Sequence, residues 1–299
     1  MTIPIIRFTP DGSTLIYANA HQIQFWRLQD RYLLHQHDGK LIGMAKDGRS
    51  FLLESTGNRF QLFDLFKESY RSNDSILSHD YLPGQRCSLR LKRRSIEVFD
   101  VLQSEVVVTV QLSELVDTSS GNPYFSNACL SQDGGFVAVT VAGDSTWGEW
   151  ARGYCLHLGG RPHFEFSVNC AANQPVLQMS GHILLVENTN QHRTLWDIYA
   201  GKAVQVFDLT NGRIAGRFVA VNEAEFPSVV AIHTDRNRVE LYQASLLLAT
   251  LTTQHDICAA EFYPDNRHIA LLLENKEVEF YDWRTTNRKG LLKLTGSTS

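Results

Sequence analysis

The sequence predicts an all-β chain folded as a seven-bladed β-propeller of four-stranded antiparallel blades. Helix signals are nearly absent: no long segment keeps apolar residues at a 3.6-residue spacing, and β-branched and aromatic residues dominate the apolar runs. A turn signature recurs, with "TPDGSTLIYA" at 9, "AKDGRSFLLE" at 45, "SQDGGFVAVT" at 131 and "YPDNRHIALL" at 263 each placing Asp, then Gly or Asn, between two apolar runs. Seven later strands with alternating faces give the count, and 299 residues shared among seven units leave about 43 each, the length of one propeller blade.

Each signature turn joins two strands and leads to a third with an aromatic or apolar residue before a polar one. These third strands are "QIQFWRL" (22–28), "RFQLFDL" (59–65), "SIEVFDV" (95–101), "GYCLHL" (153–158), "RTLWDIY" (193–199), "RVELYQA" (238–244) and "EVEFYDW" (277–283). Weaker turn copies at 82, "LPGQRCSLRL", and at 178, "QMSGHILLVE", keep the glycine and lose the aspartate. The expected blades are therefore 1–38, 39–74, 75–115, 116–171, 172–209, 210–254 and 255–299 of one propeller. One four-stranded unit cannot bury both faces alone, so seven should pack radially into a closed ring.

The last unit, "HDICAAEFYPDNRHIALLLENKEVEFYDW" (255–283), and "RTLWDIYAGKAVQVFDL" (193–209), with its Trp196-Asp197 pair, resemble the WD-repeat β-propellers. The resemblance covers nearly the whole chain and is degenerate. It implies scaffolding of protein complexes, and it casts His255, with "HQH" at 35–37, as structural histidines held by internal hydrogen bonds. The buried His, Asp, Ser/Thr and Trp network of that family is incomplete in every unit, so stability should rest on apolar packing. In many members, a strand preceding the first blade completes the last one. Here Arg7 and Phe8 already belong to the first strand and "GLLKLTG" (290–296) supplies the last, so each blade should be contiguous and the ring closed by side chains alone.

Composition narrows the function. The chain is 43% hydrophobic and 20% charged, has no run near the roughly 18 apolar residues of a membrane helix, and starts without a secretory signal, so a cytoplasmic setting is expected. Five cysteines without close pairing read as free, mostly buried thiols. A formal net charge of -4 leaves no global footprint for nucleic acid. No GxSxG, P-loop, GxGxxG or HExxH motif is present, so neither an enzyme nor a cofactor is expected. The nearest metal-like group, Cys155, His157 and His163, offers at most two ligands on one strand face. Asp64, Asp100, Asp197 and Asp282 recur at strand ends, where a carboxylate accepts backbone hydrogen bonds. Trp26, Trp196 and Trp283 read as packing residues.

Spacing locates the irregular pieces. From Asp64 to Asp100 is 36 residues, but from Asp100 to His157 it is 57. Two insertions explain the excess: "LSELVDTSSGNPYFSN" (112–127), between blades 3 and 4, and "GDSTWGEWARG" (143–153), the hairpin between the second and third strands of blade 4. With alternating strand directions, both open on the end of the blades that also carries the blade 3 hairpin "RLKRRS". This sector would gather Lys92, Arg93, Arg94, Tyr124, Phe125, Trp147, Trp150 and Arg152. Trp, Tyr and Arg are enriched in interface cores, so a protein partner, an acidic peptide or a larger complex, is expected there. Alternatively, the aromatic side chains fold back as a private cap and the cations form a solvated turn. A small molecule bound or hydrolysed in the central channel is a second function class; nucleic acid on Arg86, Arg90, Lys92, Arg93 and Arg94 is a third.

Overall fold

The computed structural model describes residues 4–55, 59–67, 69–71, 83–119, 121–145, 148–158, 161–168, 176–187, 192–208, 219–222, 228–243 and 246–294. These residues form seven antiparallel sheets, six of four strands and one, in blade 3, of three. The fold is a seven-bladed β-propeller. In every sheet, the strands lie side by side in chain order, named a to d below, so each blade is contiguous, as expected. In blade 3, the described strands are b (Cys87–Leu91), c (Ser95–Asp100) and d (Glu105–Gln111).

Two compact units are present: residues 1–80 with 213–299, holding blades 6, 7, 1 and 2, and residues 81–212, holding blades 3, 4 and 5. Within each unit, the core lies between neighbouring blades. In the first unit, Ile16, Ile23 and Phe25 of blade 1 meet Phe51, Leu53 and Phe63 of blade 2. Trp283 joins the cluster shared by blades 6 and 7, and Trp26 the cluster shared by blades 7 and 1. In the second unit, Trp196 stacks on Phe164 with ring centroids 5.3 Å apart, joining blade 5 to blade 4. Strand b is buried along its length where it is sandwiched by both neighbours, as in Thr14–Ala18, whereas strand d is largely exposed, as in Glu105–Gln111. Burial therefore falls from the sandwiched strand to the edge strand.

The chain ends meet inside the first unit. Strand a of blade 1 (Ile5–Phe8) pairs with its own blade, and strand d of blade 7 (Asn287–Lys293) with its own. The two blades join through side chains: Phe8 and Tyr263 meet edge to face at 4.9 Å, Arg7 reaches Glu261 at 3.1 Å, and the Tyr263 hydroxyl donates to the Gly12 carbonyl at 2.6 Å.

The recurring aspartates have the role their spacing suggests. At the a–b turns, Asp11 accepts from Thr9 Oγ1 and Asp133 from Ser131 Oγ, both at 2.6 Å. Each also takes a backbone N–H two residues on, as do Asp47 and Asp265. Gly12, Gly48 and Gly134 adopt φ of 69°, 70° and 70° at these turns, and Asn266 occupies the same region at 57°. After strand c, Asp64, Asp100, Asp197 and Asp282 each accept two successive backbone N–H groups. Two of them also take an arginine that precedes strand b: Arg86 reaches Asp100 at 2.7 Å and Arg267 reaches Asp282 at 2.8 Å.

Polar pairs two residues apart along strand c replace part of the incomplete network. Tyr281 donates to Glu279 at 2.6 Å, and Trp26 Nε1 donates to Gln24 at 3.2 Å. Burial, with the Glu279 bond added, raises the Tyr281 hydroxyl above its ordinary range. The expectation for His255 needs correction. His255 is exposed, and its backbone carbonyl accepts from Thr253 Oγ1 at 2.6 Å. His35 and His37 pack their rings on Phe63 at 5.2 and 4.2 Å, so aromatic contact is a main part of their role.

Candidate protein-binding face

The basic hairpin, the 112–127 insertion and the blade 4 hairpin all lie in the second unit and are tied to one another through the backbone. The insertion starts with a 3-10 turn, Leu112–Glu114, whose Leu112 is buried and whose Leu112 N–H donates to Arg94 O at 2.9 Å. Leu115 and Val116 lean on the core between blades 3 and 4. Asp117 accepts the Ser119 N–H at 2.8 Å, which holds its carboxyl below the usual range. Phe125 N–H then donates to Arg93 O at 3.1 Å, and Asp144 N–H to Gly121 O at 2.7 Å.

Strands b and c of blade 4, Phe136–Ser145 and Gly148–His157, form the long hairpin foreseen from the spacing. Their register sets Val141 against Arg152, Ala142 against Ala151 and Gly143 against Trp150. Directly opposed residues project to the same side of a sheet, and successive ones alternate. Phe125 pairs with Val141, and Tyr124 with Ala142. Phe125, Arg152, Gly143 and Trp150 therefore share the side facing blade 3, while Tyr124 projects to the other.

This geometry changes the expected residue set. Phe125 is only 4% exposed and belongs to the core between blades 3 and 4, because its position in strand a points it inward. Tyr124 is half-buried and points away from Trp150. Trp147 lies outside the described residues. Trp150 is half-buried: its indole lies over Gly143 and beside Gly121, and part of it rests on the blade 3–4 core. Arg152 is exposed, with its guanidinium 5.9 Å from the centre of the Trp150 ring. Lys92, Arg93 and Arg94 are exposed at the hairpin tip, where Lys92 pairs with Glu97. Farther along the blade 4 hairpin, the exposed Asp144 and Glu149 oppose each other directly, so the cationic part of the face is local.

The basic run read as a nucleic-acid candidate is largely engaged within the fold. Arg86 holds Asp100, Arg90 lies 3.7 Å over the Phe99 ring, and Lys92 holds Glu97. The metal-like trio is spread out: Cys155 is fully buried between blades 4 and 5, whereas His157 and His163 are exposed and pack on Phe136. Among the described residues, no group of three or more His, Cys, Asp or Glu side chains is placed to hold a metal.

Solved structures of known proteins share this fold at low sequence identity. The β-propeller domain of Myceliophteria thermophila Cps50 (Swd1) matches with a TM-score of 0.63 and 13% identity over 94% of this chain and 99% of that domain. The C-terminal WD40 domain of Sif2 matches at 0.54 and 12% identity, covering 93% and 80% of the two chains. Kuenenia stuttgartiensis hydrazine synthase matches at 0.57 and 13% identity, covering 96% and 94%. No protein-family model matches the sequence, and comparison with curated proteins also finds no match. The β-propeller fold is therefore shared with proteins of different kinds, an enzyme among them, and fold alone does not assign a function.

Proposed function

We propose that the chain is a non-enzymatic scaffold, working as a single propeller, that receives an acidic segment of a protein partner on the blade 3–4 sector. The observation that carries this reading is the side shared by Trp150 and Arg152, which faces the blade bearing Arg93 and Arg94. A half-buried aromatic anchor lies beside the exposed Arg152 guanidinium, on loops fixed to one another by backbone hydrogen bonds. Arginine suits a carboxylate partner because its fork can donate two parallel bonds. Trp147 joins the set on its place beside Trp150 in the sequence, whereas Tyr124 and Phe125 leave it.

A cytoplasmic setting is part of the proposal. Four cysteines, Cys87, Cys129, Cys155 and Cys258, are free among the described residues, and burial lifts the Cys87 thiol to about 11 and Cys155 to about 12. No helix among the described residues is long and apolar enough to cross a membrane.

Quantitative affinity purification tests the reading, comparing the native chain with Arg93→Glu/Arg94→Glu and with Trp147→Ala/Trp150→Ala. A specific partner should fall at least tenfold with the charge reversal while the melting curve holds. Equal recovery of every partner by both folded variants would refute the assignment. If the tryptophan pair alone unfolds the chain, those side chains are a cap and the charge reversal decides.

A further inference from the structure

We propose a second binding site on the first unit: a cleft between blades 7 and 1 that takes an extended peptide of a protein partner, with an aliphatic side chain and a carboxylate two residues apart. The cleft encloses about 360 Å³, within the roughly 300–1,000 Å³ usual for ligand sites. Its floor is the outer margin of the core joining the chain ends, where Leu28 and Phe280 are half-buried and Leu292 is buried. Gly290 stands directly across from Phe280 in the sheet register and, having no side chain, leaves the ring uncovered.

Charge selects the occupant. Arg31 and Lys289 line the cleft, are exposed, and have no acidic partner among the described residues. Asp265, the carboxylate in the lining, is already occupied by the backbone N–H groups of Arg267 and His268 at 2.8 and 2.9 Å and by His268 Nδ1 at 2.5 Å. The cleft therefore offers an apolar floor beside two cations available to an incoming anion.

Backbone geometry selects the shape. Lys289, Gly290, Leu291 and Leu292 line the cleft consecutively, and their strand ends its sheet, with strand c as its one strand partner. Its outer N–H and C=O groups can pair with an extended segment, whose residues two apart project to one side. An aliphatic side chain would then reach Phe280 and Leu292, and a carboxylate would reach Arg31 and Lys289. This site lies at the a–b and c–d turn ends of its blades.

The test is selection of a displayed random dodecapeptide library on the folded full chain, with counter-selection on Gly290→Leu. A Cβ at Gly290 meets only Phe280 at 3.8 Å, an ordinary contact, so a longer side chain there should fill the cleft while sparing the fold. Enriched peptides should carry Asp or Glu two residues from Leu, Ile or Val. Their affinity should fall at least tenfold with Arg31→Glu/Lys289→Glu, whose side chains are exposed, and their binding should slow amide exchange in residues 287–293. Failure to enrich such peptides, or equal binding by the folded charge-reversed chain, would overturn the proposal. Should Gly290→Leu unfold, the charge reversal and the exchange pattern give the same decision.

Discussion

Trp150 lies across Gly143, its cross-strand neighbour, so closely that a Cβ on the glycine would stand 2.8 Å from indole Cζ2. Gly121 completes the seat from the insertion: its φ is +73°, and a Cβ there would lie 2.0 Å from the Asp144 carbonyl oxygen. Gly121→Ala should therefore destabilise the chain by about 1–3 kcal/mol through backbone strain, and Gly143→Ala by a similar amount through crowding. Denaturant melts of both variants, with tryptophan fluorescence reporting the indole environment, check this. Unchanged midpoints would mean that the insertion is not held as described.

Arg86 and Arg267 occupy equivalent places before strand b, yet their aspartates should respond differently to losing them. The side chain of Arg86 is 19% exposed and that of Arg267 is 62% exposed, while both partner carboxylates are fully buried. Water can replace the exposed guanidinium more readily. Arg86→Ala should cost about 3–5 kcal/mol, the cost of stranding a buried charge, and Arg267→Ala clearly less. Urea unfolding of the two single variants measures the difference.

Deleting residues 289–299 should lower the melting temperature by roughly 10 °C or more. Leu292 and Leu294 are 2% and 3% exposed in the cluster joining blades 7 and 1, and losing such leucines costs about 2–5 kcal/mol each. An unchanged calorimetric transition would contradict closure by side chains.

The a–b turn aspartates should make the fold acid-sensitive. Burial raises the Asp133 carboxyl, but bonds from Ser131, Gly135 and Tyr199 outweigh it and leave the group below its ordinary value. A depressed folded value adds stability above the unfolded value of about 3.9 and loses it as pH falls through the folded value. The native melting temperature should therefore exceed that of Asp133→Asn at pH 6, and the two should converge as pH falls through the lowered folded value of Asp133. A pH series of melting curves reads this directly.

Much of the fold was legible because its turns use short-range chemistry. Asp11, Asp47, Asp133 and Asp265 act on groups within a few residues, so the local sequence contains their partners. The Arg86–Asp100 pair was not legible, since it depends on which residues the b–c register brings together. Phe125 shows the same limit at the candidate site: placing its loop on the correct blade end did not reveal which way strand a would turn each side chain. His255 shows it again: its place just before strand a of blade 7 did not reveal that the side chain would be exposed. The cleft at Gly290 was hidden for a simpler reason, being built from the two ends of the chain.

Site-specific photocrosslinking decides whether the blade 3–4 sector is the partner-binding face. A photoreactive residue at Arg94 or Arg152 should form a covalent adduct with a partner, whereas the same probe at Phe66, 65% exposed on blade 2, should not. Adducts from Phe66, with none from Arg94 or Arg152 in equally folded chains, would contradict it.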